Sequence, residues 1–332
     1  MRYFVLIICM ALCGISCEKV LIREEASGDP IENFESMWHT LDEKYSYFEL
    51  KNIDWDSVYR EYRPQVRPDM NEVELFDLLA EMLFILRDGH VNLVTPFDLS
   101  RNWQWYLQSP ENFDYALLER NYLKEDYRIT GPFRHRLIDS MGYIYYGSFS
   151  SNFSSAQLDL LMETYEDARG LIIDIRNNGG GKLSNAHDLD ARFLEKERTV
   201  YCEAYKDGPG HEDFTACIPQ LLSPPQQYTY DKKVVLLTNR SSYSAANTFT
   251  VIMSQLDLVH HMGDTTGGGG GLPVDYELPN GWRYRFSATR TRLPNGMPTE
   301  LGIPPDTVVY LKAEDEIEGE DTMLEAALDF FD

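Results

Sequence analysis

From residue 31 onward the apolar positions recur with two different periods. In "IENFESMWHTLDEKY" Phe34, Met37, Trp38 and Leu41 fall at intervals of three and four, and in "NEVELFDLLAEMLFIL" Val73, Phe76, Leu79, Met82 and Leu83 do the same. Such spacing lays one apolar stripe along a helix, and Asn71 is placed to cap the second of them. Residues 30–95 therefore predict a small helical subdomain. Residues 96–140 are aromatic and without a period, an irregular connecting segment at the low edge of the size of an independent domain. From residue 141 short apolar runs follow one another: "MGYIYYGSF" (141–149), "GLIIDIR" (170–176), "KKVVLLTN" (232–239) and "LVHHMG" (258–263), with the helical "SAQLDLLMETYEDA" (155–168) between the first two. Strands alternating with helices predict βαβ units, a largely parallel sheet and an α/β core over 141–312. After Gly263, "LPVDYELPNGWRYRFSATRTRLP" alternates aromatic and polar positions around "PNG", which predicts a hairpin. The tail, 313–332, is acidic and closes on "TMLEAALDFF", the pattern of a short amphipathic helix.

The first 17 residues fit neither period. "MRYFVLIICMALCGISC" has one arginine, an apolar run from Tyr3 to Cys13, then small residues up to Cys17. The run is too short to span a bilayer and reads as a signal peptide. "GISC" resembles a bacterial lipobox, with Gly14 where a leucine is usual. On that reading residues 1–17 are a lipoprotein signal peptide, Cys17 is the lipidated residue, and the acidic stretch 18–29 is a tether. The protein is then exported and membrane-anchored, at the periplasmic or cell-surface side; cleavage nearby without lipid, or a short uncleaved anchor, are the alternatives. Three of the five cysteines lie in this segment, which leaves Cys202 and Cys217. A pair of cysteines in an exported chain suggests a disulfide, and closing the polar loop between them would stabilise by roughly 3 kcal/mol.

Charge narrows the partners. With 54 acidic against 30 basic residues the formal net charge is -24, which repels phosphate backbones and argues against nucleic acid. His260 and His261 are adjacent on a strand and point to opposite faces, and no HExxH or CxxC spacing occurs, so neither a metal nor another cofactor is expected. Chemistry is left to four loops. "IDIRNNGGGK" ends a strand in Asn177, Asn178 and Gly179 to Gly181, where glycines turn N–H groups toward an anion or oxyanion, or simply make a tight turn. It completes no nucleotide-binding fingerprint. In "LLTNRSSYSAANTF" (236–249) Ser241, Ser242 and Ser244 precede a helical pattern; a serine there caps the helix or stands as a nucleophile at its positive end, with the next N–H on the oxyanion. "LRDGHVNL" sets His90 in a polar turn, and histidine is the usual general base. "TELGIPPD" holds Glu300 before a glycine and two prolines that fix the backbone.

In their order, "LRDGH", "GLIIDIRNNGGG", "SYSAAN", "GDTTGGG" and "ELGIPPD" resemble the tail-specific, or C-terminal processing, peptidase family, and more narrowly the catalytic core of its tricorn branch. The resemblance runs from about residue 31 to 311. It implies a crotonase-like α/β core of stacked ββα units, Ser244 as nucleophile, His90 as general base, Glu300 as the acid that orients or polarises them, and an oxyanion hole from the N–H groups of Ala245 and of Gly179 or Gly180. It implies a serine endopeptidase of the cell envelope, acting on peptides or unfolded protein tails. Two positions depart from the pattern. The lysine that follows the nucleophile by about 25 residues, in a "GKG" element, is replaced within "TTGGGGG", which excludes a Ser/Lys dyad. The serine that precedes the base in the tricorn tetrad is Gly89, so that part of the polar network is missing or supplied elsewhere, with Ser241 and Ser242 as candidates. Residues 96–140 are too few for a complete PDZ module, which leaves recognition to the core, the helical subdomain or the loop between the cysteines. A catalytically inactive peptide- or lipophile-binding protein of the same fold is the alternative function, while an acyl-CoA enzyme conflicts with export.

Overall fold

Helix α1 (Pro30–Lys44) starts where Asp29 accepts a hydrogen bond from the Ile31 N–H and Pro30 takes a position that needs no donor. A computed structural model describes residues 28–101 and 109–331 of this chain; the expected signal peptide, Cys17 and most of the expected tether lie outside the described residues. Helix α2 (Trp55–Tyr62) is capped by Asp54, and α3 (Glu72–Phe84) by a reciprocal box in which Asn71 and Glu74 satisfy each other's backbone N–H. The chain continues through β1 (Asn92–Val94), α4 (Tyr115–Leu117, running into a wider turn at Leu118–Leu123), β2 (Arg128–Thr130), β3 (Phe133–Ile138), β4 (Met141–Tyr145), α5 (Ser155–Thr164), β5 (Gly170–Asp174) and α6 (Leu183–Asp190). It then forms β6 (Arg198–Tyr205), β7 (Ile218–Leu222), β8 (Val234–Thr238), α7 (Ala245–Met253), β9 (Val259–Gly263), β10 (Pro273–Glu277), β11 (Arg283–Ser287), β12 (Thr289–Arg292) and β13 (Thr307–Val308), and ends on α8 (Ala313–Glu318) and α9 (Thr322–Asp329).

Seven strands form the main sheet in the order β13-β9-β8-β5-β4-β3-β2, parallel from β13 to β4 and antiparallel beyond. Helices cover β5 and β8 on both faces, which is why each reads as an unbroken apolar run rather than an alternation. Leu171, Ile173 and Leu236 pack with Leu161 of α5 and Phe249 of α7, while Ile172, Val235 and Leu237 pack on the other face with Leu324 and Ala327 of α9. Strands β2 and β3 arise in the stretch whose pattern predicts no element. Their signal is masked because a buried inward position carries a histidine: His135, bonded to Thr130 and Tyr165.

Helices α1 to α3 do not close a core alone. Their stripe, with Phe34, Met37 and Leu79, is completed by Leu278, Trp282, Tyr284 and Phe286 of the β10–β11 hairpin, to which β1 adds an antiparallel third strand. Val73, counted in that stripe from spacing, sits in the first turn of α3 and is exposed. A third sheet, β12-β6-β7, carries the Cys202–Cys217 disulfide, with Cα atoms 5.4 Å apart. The stapled loop reaches back to α1, where His211 meets Asp42 at 2.7 Å.

Candidate active site

Between Thr238 and Ala245 the chain must reverse from β8 into α7, and side-chain bonds fix that corner. Asn239 Oδ1 accepts from the N–H groups of Asn177 and Ser241, and Ser242 Oγ donates to the Ile175 carbonyl at 2.8 Å. The Ser241 N–H and the Ser242 hydroxyl are thus committed to the turn. Ser244 holds φ 58° and ψ -117°, a region L-residues avoid, at a cost of about 1–3 kcal/mol. Bonds from Tyr243 N–H to the Asn178 carbonyl (3.0 Å) and from Ser244 N–H to the Gly268 carbonyl (2.9 Å) hold it there. Although Ser244 occupies the cap position of α7, its side chain makes no cap bond. Its Oγ lies 3.0 Å from His90 Nε2 instead.

The glycine turn after β5 packs directly on this serine. A Cβ on Gly180 would come within 2.9 Å of Ser244 Cβ and of the Ala245 nitrogen, so the approach requires glycine. The Gly180 N–H, expected among the oxyanion donors, is given to Asn178 Oδ1 at 3.0 Å. Among the described residues the N–H groups of Ala245 and Gly179 donate to no acceptor. Two free donors beside a serine Oγ at a helix N-terminus suit a tetrahedral oxyanion.

His90 stands on the opposite wall. Its N–H donates to Asp88 Oδ1 at 2.8 Å, and its Nδ1 faces Ser287 Oγ at 3.4 Å. Asp88 further accepts from the hydroxyls of Tyr45 (3.2 Å) and Tyr243 (3.3 Å) and lies 3.7 Å from Lys51 Nζ. Lys51 donates to Glu300 Oε1 at 2.7 Å, and Glu300 Oε2 accepts from the Gly270 N–H at 2.9 Å. Among the described residues Glu300 hydrogen-bonds neither His90 nor Ser244; its contacts run to Lys51, and through Lys51 and Asp88 toward His90. Burial pushes the His90 imidazole down to about 4, against the pull of Asp88 and aided by Arg285 and Lys51, so it is neutral at pH 7. For Asp88 burial works upward, but Lys51, His90 and its hydrogen bonds outweigh it and hold the carboxyl below its ordinary range. Burial, with Asp88 nearby, pushes Glu300 up to about 7 despite Lys51.

Tyr243 packs its ring against two glycines of the site. A Cβ at Gly89 would stand 3.0 Å from the Tyr243 ring, and one at Gly269, within the glycine run that lacks the lysine, only 2.5 Å from it. The ring leaves little room for a side chain at either position, and Ser287 places a hydroxyl 3.4 Å from His90 Nδ1. Lys51, Asp88, Ser287 and Tyr243 were not singled out from sequence. Asp88 lies inside "LRDGH" and Tyr243 inside "SYSAAN", but Lys51 is 249 residues from Glu300 and Ser287 is 197 from His90, with no local pattern to join them.

The two walls enclose an open cleft of about 450 Å³, also lined by Tyr201, Glu203, Thr248, Leu272 and Arg285. Among the described residues no cluster of His, Cys, Asp or Glu is arranged to hold a metal; His261 bonds Thr238 and His260 stacks on Phe330.

Residues 140–309 match the family model for peptidase family S41, and residues 29–84 that for the tricorn protease C1 domain. A carboxyl-terminal-processing protease of Synechocystis sp. is 29% identical over 172 residues, covering 51% of this chain and 38% of its own. The chain spans about a third of the length of the curated relatives it matches. The crystal structure of a peptidase candidate from Parabacteroides merdae ATCC 43184 is 44% identical, covers 92% of this chain and 97% of that one, and superposes with a TM-score of 0.89. The tricorn protease structure, 15% identical, superposes with a TM-score of 0.54 over 91% of this chain and 36% of its own, a likeness of fold. The crotonase-like α/β core expected from the motifs agrees with these likenesses.

Proposed function

The chain belongs to peptidase family S41, and from that premise we propose that it is a serine endopeptidase acting on peptides or unfolded protein tails. The observation that carries the reading is the 3.0 Å contact between His90 Nε2 and Ser244 Oγ, made by a strained serine beside two free N–H groups. Neutral His90 takes the Ser244 proton as Oγ attacks the peptide carbonyl. The oxyanion is received by the N–H groups of Ala245 and Gly179. His90 then protonates the leaving amine, and water, deprotonated by the same nitrogen, releases the acyl group. For Nε2 to act as base, Nδ1 must keep the ring proton, which it directs at Ser287 Oγ as a hydrogen-bond donor. A fluorophosphonate probe tests the assignment: it should label the protein covalently, and Ser244→Ala should abolish both labelling and hydrolysis of an unfolded substrate. A folded protein that resists the probe is instead the inactive binding form.

We further propose export and lipidation at Cys17, supported by the apolar run and the small residues before it. Among the described residues no helix is long and apolar enough to cross a membrane. Cells fed a labelled palmitate analogue should label the wild type at the membrane, and Cys17→Ala should lose the label; a label that persists rules the anchor out.

A further inference from the structure

Arg285 contributes the one positive charge among the described side chains lining the cleft, if His90 is neutral as its burial requires. It is an unusual residue to leave there in a chain of net charge -24. Its Nε is buried without a hydrogen-bond partner, while its cross-strand neighbour Asp275, 3.9 Å away, is 77% exposed. An exposed carboxylate at that distance neutralises little in water. Glu203, the acidic residue of the same cleft, accepts from the Tyr205 hydroxyl at 2.7 Å. Arg285 therefore brings to the lining of the cleft a side chain that is 40% exposed and whose Nε has no hydrogen-bond partner.

Its position along β11 says which part of the substrate it meets. Alternate residues of a strand share a face, so Tyr284 and Phe286 enter the core beneath while Arg285 stands beside Ser287, the residue at His90 Nδ1. Arg285 thus flanks the imidazole, and the imidazole hands its proton to the leaving amine.

Resting on the peptidase reading, we propose that Arg285 is a specificity-determining residue that binds a substrate carboxylate on the C-terminal side of the scissile bond. The carboxylate is either an acidic side chain or the free end of the chain; a planar guanidinium fits both in the same bidentate way. The Ser244→Ala variant allows the test without turnover. Fluorescence anisotropy would compare one peptide sequence with a free or amidated C-terminus, and separately with Glu or Gln in the segment after the scissile bond. In at least one pair the charged peptide should bind roughly 10-fold tighter or more, and the pair that responds identifies the source. Adding Arg285→Gln should bring that ratio close to one, and Arg285→Lys should keep part of it. Equal binding of charged and neutral peptides, or a preference that survives Arg285→Gln, overturns the proposal. Because binding alone is read, failure here is distinct from failure of Ser244 as nucleophile, which the fluorophosphonate probe reports.

Discussion

The two walls of the cleft are built by different means. The Ser244 wall belongs to the carboxyl edge of one parallel sheet, where the turns after β5 and β8 are pinned to each other by short backbone and side-chain bonds such as Tyr243 N–H to Asn178 and Ser242 Oγ to Ile175. The His90 wall is assembled from the helical region (Tyr45, Lys51, Asp88), the hairpin (Ser287) and the loop at Glu300, and it is held by buried charges. On the first wall sterics place an atom. On the second, electrostatics set a protonation state, so the walls should fail differently when disturbed.

Lys51→Met strikes the charged wall hardest. It leaves Asp88 and Glu300 buried without their cation, and breaking such a pair costs about 3–5 kcal/mol. Urea unfolding should show that loss at pH 8 and a smaller one at pH 6, where Glu300, already raised to about 7, takes up a proton. A change below about 1 kcal/mol at both values would mean that the wall is held by packing like its neighbour. For the steric wall the contrast lies between adjacent glycines. At Gly180, φ is +90° and a Cβ would lie 2.6 Å from the Tyr243 carbonyl oxygen, whereas a Cβ at Gly179 meets nothing within 4 Å. Displacing a reacting atom by an ångström costs about 100-fold, so Gly180→Ala should lower kcat by roughly that factor in single-turnover assays. Gly179→Ala should lose at least ten times less; equal losses would show that the close approach of Gly180 to Ser244 is not what sets the rate.

The same division explains what the sequence made legible. Parallel strands, the serine corner and the glycine turn are written in contiguous stretches, because a continuous apolar run and a strand-to-helix reversal are local facts. Ser244, His90 and the neighbouring N–H groups could therefore be named together from ordered motifs. The partner of the base could not: Ser287 reads as one polar position in a hairpin, and Lys51 as one more exposed-looking lysine, until folding buries them beside Asp88. Gly89 and the lysine-free run "TTGGGGG" looked like deficits for the same reason. The Tyr243 ring packed against Gly89 and Gly269 is visible only when the turns are stacked.

Proton uptake gives the finest test of the comparison. If burial governs His90, kcat/KM should rise with pH through about 4 rather than through the 6.5 of a solvated imidazole, and stay level above. Stability follows with a definite sign. Between 6.5 and 4 the unfolded chain binds a proton at His90 that the native state refuses, so this contribution is present above 6.5 and lost as pH falls through 4; His135 and His261, also lowered to about 4, act in the same direction. Glu300 opposes them, because a native carboxyl at about 7 stabilises below its usual 4.5 and loses that effect as pH rises through 7. Ser287→Ala removes the acceptor at Nδ1 and should lower kcat/KM by about 10-fold, the worth of one hydrogen bond, while leaving the acid limb where burial sets it. Asp88→Asn, which removes the charge that raises His90, should move the limb lower still. A limb near 6.5 in the wild type would show that water reaches the imidazole in the working protein, and that both walls are placed by geometry alone.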